Sequence, residues 1–406
     1  MGKLRHESGF TIIELMVGMT IALLASVAIF EVLLASESFK KTTLTGSDAM
    51  QNGSYAEFML SRTLQMGGNG IAQVPNVWGC PLNIYRDNAL ITGSSAAYSG
   101  YAAPFNTIFA SALASRSTGY SLPIAPILII DGGTGSDALV VMAGQHGSHG
   151  YYLSANDKPA NGKVSFKNAL GINDTCATTT GNRACIAGEV QQDLLLAVDQ
   201  DAGAGSATCD VAQVKSVASG VATLTGNHNS AHDYTGEKAF DSFSRSTKIA
   251  NLGPVAVESS ASNLKTVTGP LFLAYAIDDN ANLIEWNILT RQTRTIASNI
   301  VTLKAIYGVA AKAEDTHVSD WVTASGSQWG IANITPEDIG RIRAVRLAIV
   351  ARNATPDKET APYSSFSLFP GSGEEYQYDI PDRKYRYQSY DMIVPLRNMV
   401  AATNKS

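Results

Sequence analysis

The chain has 406 residues, 45% of them hydrophobic and 16% charged, with 35 glycines and a net charge of -5. That is enough apolar material for one large or two modest domains with a sizeable core. The mild acidic balance excludes a general electrostatic grip on nucleic acid or anionic lipid, so proteins are the expected partners.

Lys3 and Arg5 form a short basic leader, and Gly9-Phe10-Thr11-Ile12-Ile13-Glu14-Leu15-Met16-Val17 follows it. From Phe10 to Ala35 the only charged residues are Glu14 and Glu31. A helix starting at Phe10 reaches roughly 30 Å by Phe30, enough to cross a bilayer core. Basic residues on the leader side hold that end in the cytoplasm and place the rest of the chain outside. Glu14 is then an acid within an apolar anchor, where an unpaired carboxylate needs a partner, a proton or a route to the interface. Snorkelling and a first-turn helix-dipole benefit are the plain alternatives. Glu31 marks the outer membrane boundary, roughly 25 Å along the helix from Glu14.

Gly9 before Phe10, the basic leader and Glu14 as the fifth residue after the junction together resemble the class III signal of type IV prepilins. The resemblance implies cleavage between Gly9 and Phe10 by a membrane-embedded prepilin peptidase, then methylation of the new Phe10 amine. It also implies that Glu14 meets the Phe10 amine of a neighbouring subunit, so that two charges costly in lipid neutralise each other and set the axial register. Ile12, Ile13, Leu15, Val17, Ile21, Leu23 and Leu24 would then bury against adjacent stems. Major pilins carry a helix-kinking proline about where Glu31 stands. Its absence and the length of the chain imply a minor subunit near a filament tip.

Residues 36–66 keep a helical pattern, with Ala56, Met59, Leu60, Thr63 and Leu64 at three-and-four spacing. Gly67-Gly68-Asn69-Gly70 predicts the stop. The chain divides into a leader (1–9), the apolar half of the helix (10–34), its amphipathic half (35–70) and a β-rich head (71–406). Short apolar or alternating runs predict strands at 137–142, 193–198, 271–277, 283–288, 300–307, 342–350 and 387–396. An α+β fold is expected, a long amino-terminal membrane-spanning helix packed on an antiparallel sheet. Residues 145–270, rich in small and polar types, read as an insertion holding small strands of unplaced position.

Cys80, Cys176, Cys185 and Cys209 fit an oxidising compartment and allow three pairings. The spacing favours Cys176 with Cys185, closing a loop worth about 2 to 3 kcal/mol, whereas Cys80 with Cys209 would close a large loop worth roughly 5 kcal/mol. Nothing predicts a metal. His146 and His149 lie in a glycine-rich turn, and the cysteines lack zinc spacing. Residues 131–137 and Asp199-Gln200-Asp201 offer oxygen ligands without an EF-hand register and read as turns. Arg341, Arg343, Arg346 and Arg352 read as one solvated face rather than a DNA contact.

Leu271-Phe272-Leu273-Ala274-Tyr275, the turn at Asp278-Asp279-Asn280 and Asn282-Leu283-Ile284-Glu285-Trp286 resemble the hairpin of PilW-type minor pilins. Residues 300–308, 341–352, Tyr385-Arg386-Tyr387 and Val394-Pro395-Leu396-Arg397-Asn398 resemble the later strands of that family in the same order. The resemblance covers about the first seventy residues and most of 271–398. It implies a type IV pilin-like head, enlarged by the insertion, on a minor pilin that helps prime assembly and cap the filament. Its implied partners are other minor pilins, the major pilin, the prepilin peptidase and the inner-membrane assembly platform. The implied location is the inner membrane with a periplasmic head, then the pilus, serving twitching motility, adhesion or DNA uptake. No catalytic motif stands at a defensible spacing, and neither an enzyme nor a cofactor is expected. A type II secretion pseudopilin is the alternative, and a membrane-anchored periplasmic binding protein or enzyme is the third reading.

Overall fold

The computed structural model describes residues 11–116, 119–144, 153–166, 192–201, 208–224, 234–236, 240–255, 269–357 and 360–403. The first helix, α1, runs over Ile12–Gln65 without interruption, about 80 Å at 1.5 Å per residue. It stops where the glycines predict. Met66 is the C-cap, and Gly68 and Gly70 adopt φ of 76° and 68° in the left-handed region that ends a helix cheaply only at glycine.

The distal half of α1 buries one face. Ala56, Leu60 and Leu64 are fully covered, while Tyr55 and Phe58 on the other side are exposed. The covered face lies on Tyr387–Pro395, Ile342–Arg352 and Gln292–Ser298. Tyr390 donates its hydroxyl proton to the Met50 carbonyl at 3.0 Å, and Asn398 Nδ2 donates to Gly67 O at 3.1 Å. Contacts from Tyr390 to Met50 and from Asn398 to Gly67 advance in the same order along both segments, so the helix and the final strand run side by side in the same direction. Gly53 makes the close approach possible. A Cβ there would stand 2.1 Å from the Tyr390 ring.

Two antiparallel sheets form the helix platform. One has the order Gln292–Ser298, Asn282–Asn287, Leu271–Ile277, Ala138–Ala143 and Ile127–Ile130. The other has the order Asp320–Thr323, Ile300–Val309, Ile342–Arg352 and Tyr387–Pro395. Each run predicted as a strand is a strand, with ends moved by a residue or two. Gln292–Ser298 was not predicted because it is an edge strand, exposed along Gln292, Thr293, Arg294 and Thr295 and therefore without an apolar alternation.

A third sheet is built largely from the middle of the chain. Gln192–Val198 sits between Cys209–Gln213 and Lys248–Val255, antiparallel to both, and Cys209–Gln213 pairs in parallel with Pro81–Arg86. Leu194, Leu196 and Val198 face the main core. Leu195 and Ala197 face a second core with Val164, Phe166, Ala212, Val214, Phe240 and Phe243. A strand buried on both faces reads as a continuous apolar run, which is why 193–198 was legible while its neighbours were not.

The disulfide among the described residues joins Cys80 to Cys209, 129 positions apart in sequence, with Cα atoms 5.8 Å apart. It lies at the start of the parallel pair, where Leu82 faces Cys209. The expected Cys176–Cys185 bridge falls outside the described residues, as do His146 and His149.

The arginines do not form one solvated face. Arg341 closes the Pro336–Arg341 helix and donates to Ala310 O at 2.9 Å. Arg343, 2% exposed, donates to the carbonyls of Asp315, Gly340, Ile342 and Ala313. Arg346 makes a two-pronged bridge to Asp391 at 2.9 and 2.7 Å, and the Arg352 guanidinium lies 4.4 Å from the Tyr385 ring centroid. Positions 343 and 346 differ by an odd number, so the pleat sends them to opposite faces of a strand covered on both.

Candidate functional site: the amino-terminal stem

The stem begins with a reciprocal cap. Glu14 N–H donates to Thr11 Oγ1 at 3.3 Å, while Glu14 Oε2 accepts from Thr11 N–H at 3.0 Å and from the Thr11 hydroxyl at 2.9 Å. Thr11 thus supplies the N-cap and Glu14 the third helical position of a capping box, which satisfies donors a helix start otherwise leaves open. The negative charge also lies in the first turn, at the positive end of the helix dipole.

Ile12–Leu33 follows, 22 residues long and apolar enough to cross a membrane, with none of its span covered by the other described residues. At 1.5 Å per residue this measures about 33 Å, against a hydrocarbon core of about 30 Å. Its hydroxyls turn inward on the helix. Thr20 donates to Val17 O at 2.8 Å and Ser26 to Ala22 O at 2.7 Å, so neither brings an unsatisfied donor to the apolar surface. Ile12, Ile13, Leu24 and Val32 are each more than two thirds exposed. Gly9 and Phe10 fall outside the described residues, as do Lys3 and Arg5.

The stem is joined firmly to the head by contacts that no motif announced. Glu285, 9% exposed, accepts from the Tyr275 hydroxyl at 2.6 Å and from Arg294 Nη2 at 3.0 Å, and the Tyr275 hydroxyl lies 3.3 Å from Thr63 Oγ1 on α1. One polar chain therefore links the helix to three adjacent strands. Burial, then the Glu285 charge, holds the Tyr275 phenol well above its usual range. The charged residue inside an otherwise apolar strand, Glu285 within Leu283-Ile284-Glu285-Trp286, was the sequence signal for it.

Two oxygen-rich turns are occupied by protein donors. In residues 131–137, Lys304 Nζ sits 2.7 Å from Asp137 Oδ1 and 3.8 Å from Asp131 Oδ1. Asp199 accepts from the Ser244 hydroxyl and from Asp201 N–H.

Residues 274–398 match the family described as type IV pilus-assembly protein W, and residues 4–30 match the prokaryotic N-terminal methylation motif. The chain thus carries a PilW-like segment behind a prepilin-type amino terminus. No curated protein and no solved structure matches it. The two matched segments are the stem and the strands on which the distal half of α1 rests. Both matches point to a type IV pilus-related structural protein with an apolar amino-terminal helix.

Proposed function

We propose that this chain is a minor subunit of the type IV pilus that helps start assembly and stands at the filament tip. The observation that carries the reading is an uncovered, membrane-length helix that opens on Glu14 and is clasped to a PilW-type sheet. Its leader, residues 1–9, is removed between Gly9 and Phe10 by prepilin peptidase, and the Phe10 amine is methylated. The chain waits in the inner membrane with residues 71–406 in the periplasm. Residues 10–34 then leave lipid for a bundle of other pilin stems, so apolar burial is kept while its partner changes.

In that bundle Glu14 accepts the Phe10 amine of an adjacent minor or major pilin, an exchange its present local bonds to Thr11 permit. Ion pairing in a low-dielectric stem bundle rewards only the register that brings the two charges together. The inner-membrane assembly platform is the lifting machinery, and twitching motility, adhesion or DNA uptake is the output.

Intact-mass and amino-terminal analysis of the native protein tests the maturation step, which requires loss of nine residues and a methyl group on Phe10. Glu14→Ala should be processed normally yet enter sheared pili at a small fraction of the wild-type level. Equal incorporation of the variant would sink the pairing role, and recovery in a secretion complex without pili would favour the pseudopilin reading.

A further inference from the structure

Among the described ion pairs, Asp137 and Lys304 are the one with both side chains nearly fully enclosed, at 4% and 6% exposure. Lys304 Nζ donates to Asp137 Oδ1 and to Gly133 O, each at 2.7 Å. Asp137 Oδ1 also accepts Gly132 N–H at 3.0 Å, and Oδ2 accepts Ala305 N–H at 2.9 Å. Asp131 Oδ1 lies 3.8 Å from the same nitrogen, and the Tyr376 ring centroid lies 4.8 Å from it. Amine and carboxyl are thus held in contact, out of water, by backbone groups that leave neither free to turn away.

Enclosure disfavours the Asp137 carboxylate. It raises the Asp137 carboxyl above its ordinary range despite the neighbouring ammonium. A proton moved from nitrogen to oxygen leaves a neutral amine against a carboxylic acid, with the entropy of encounter already removed by the fold.

We propose that Asp137 and Lys304 form an intramolecular amide cross-link, Nζ condensing with the Asp137 side-chain carboxyl and releasing one water. Nζ attacks Cγ, the new C–N bond forms and the Cγ–Oδ1 bond breaks. The two protons lost by the ammonium leave on Oδ1 as water, and Asp131 is the carboxylate placed to carry a proton between them. No electrons are gained or lost overall. The product fits the contacts already present: Oδ2 stays as the amide oxygen under Ala305 N–H, and the remaining Nζ–H keeps the Gly133 carbonyl. The bond closes residues 137–304 into a covalent loop that contains the Cys209 strand, and it ties the two platform sheets together where Asp137 N–H already donates to Leu303 O at 2.8 Å.

The test is mass analysis of the full chain, purified from membranes, reduced and denatured, beside Lys304→Arg. Arginine keeps a cation next to Asp137 but does not condense with it. Wild type should run lighter by one water than the mass calculated for its own determined amino terminus, and its protease digest should contain a branched peptide joining the Asp137 and Lys304 segments. The variant should show its full mass and two separate peptides. Asp131→Asn should leave a larger uncondensed fraction at early times. A wild-type digest that yields only separate peptides overturns the proposal and leaves an ordinary buried ion pair; that digest decides even if Lys304→Arg fails to fold.

Discussion

Gly53 shows how one residue can set the spacing of two elements. The Tyr390 ring lies against its backbone, and any Cβ there must displace the ring or the helix. Gly53→Leu should cost about 1 to 3 kcal/mol, the usual range for overpacking, even though leucine favours helix. Denaturant titration of the variant, and of Gly53→Leu with Tyr390→Ala, checks this; the second change should restore part of the loss. Asp210 poses the opposite problem. Burial raises its carboxyl pKa, and the Asn83 amide at 3.0 Å offsets that only in part. A carboxyl raised in the folded state binds its proton more tightly there than in the unfolded chain. Its contribution is therefore present at acid pH and lost as pH rises through the folded pKa. Asp210→Asn should raise the denaturation midpoint at pH 7 and leave it nearly unchanged near pH 3, and a variant less stable at pH 7 would contradict that sign.

Among elements, the long helix and six of the nine platform strands were legible because each carries its own pattern. Ala56, Leu60 and Leu64 repeat at helical spacing, and Leu271–Ile277 and Ile342–Arg352 are apolar runs between turns. The Pro81–Arg86 and Cys209–Gln213 strands were not, since they are short and pair in parallel across a large sequence gap. Local patterns carry no information about a partner that distant. The Cys80–Cys209 bridge fastens this pair and restricts the unfolded chain over a long loop, so Cys80→Ser with Cys209→Ser should lose about 3 to 5 kcal/mol. The measurement is the denaturation midpoint under non-reducing conditions, with no shift expected for the double variant when wild type is reduced as the reference.

The whole molecule has two regions that answer to different solvents. Among the described residues nothing covers Ile12–Leu33, whereas the distal half of α1 is part of the main core. Substitutions in the first region should therefore spare the second, because sites far apart with no shared partner act additively. Leu23→Asp should weaken membrane insertion by roughly 2.5 to 3.5 kcal/mol and leave the melting of the head unchanged. Carbonate extraction reads the first effect and near-ultraviolet circular dichroism the second; a lowered head melting temperature would show a coupling the structure does not contain.

The stem, its glutamate, the helix stop and two of the three strands on which the helix rests follow from neighbours in sequence: an apolar run of membrane length, a glycine cluster, a periodicity. Tertiary structure alone decided that Cys80 faces Cys209, that Lys304 closes the Asp131 turn and that the arginines of Ile342–Arg352 are held by carbonyls, a carboxylate and an aromatic ring. Those outcomes depend on which distant groups share a site after burial, where an unpartnered charge or donor is costly and the chain satisfies it from wherever the fold brings a match.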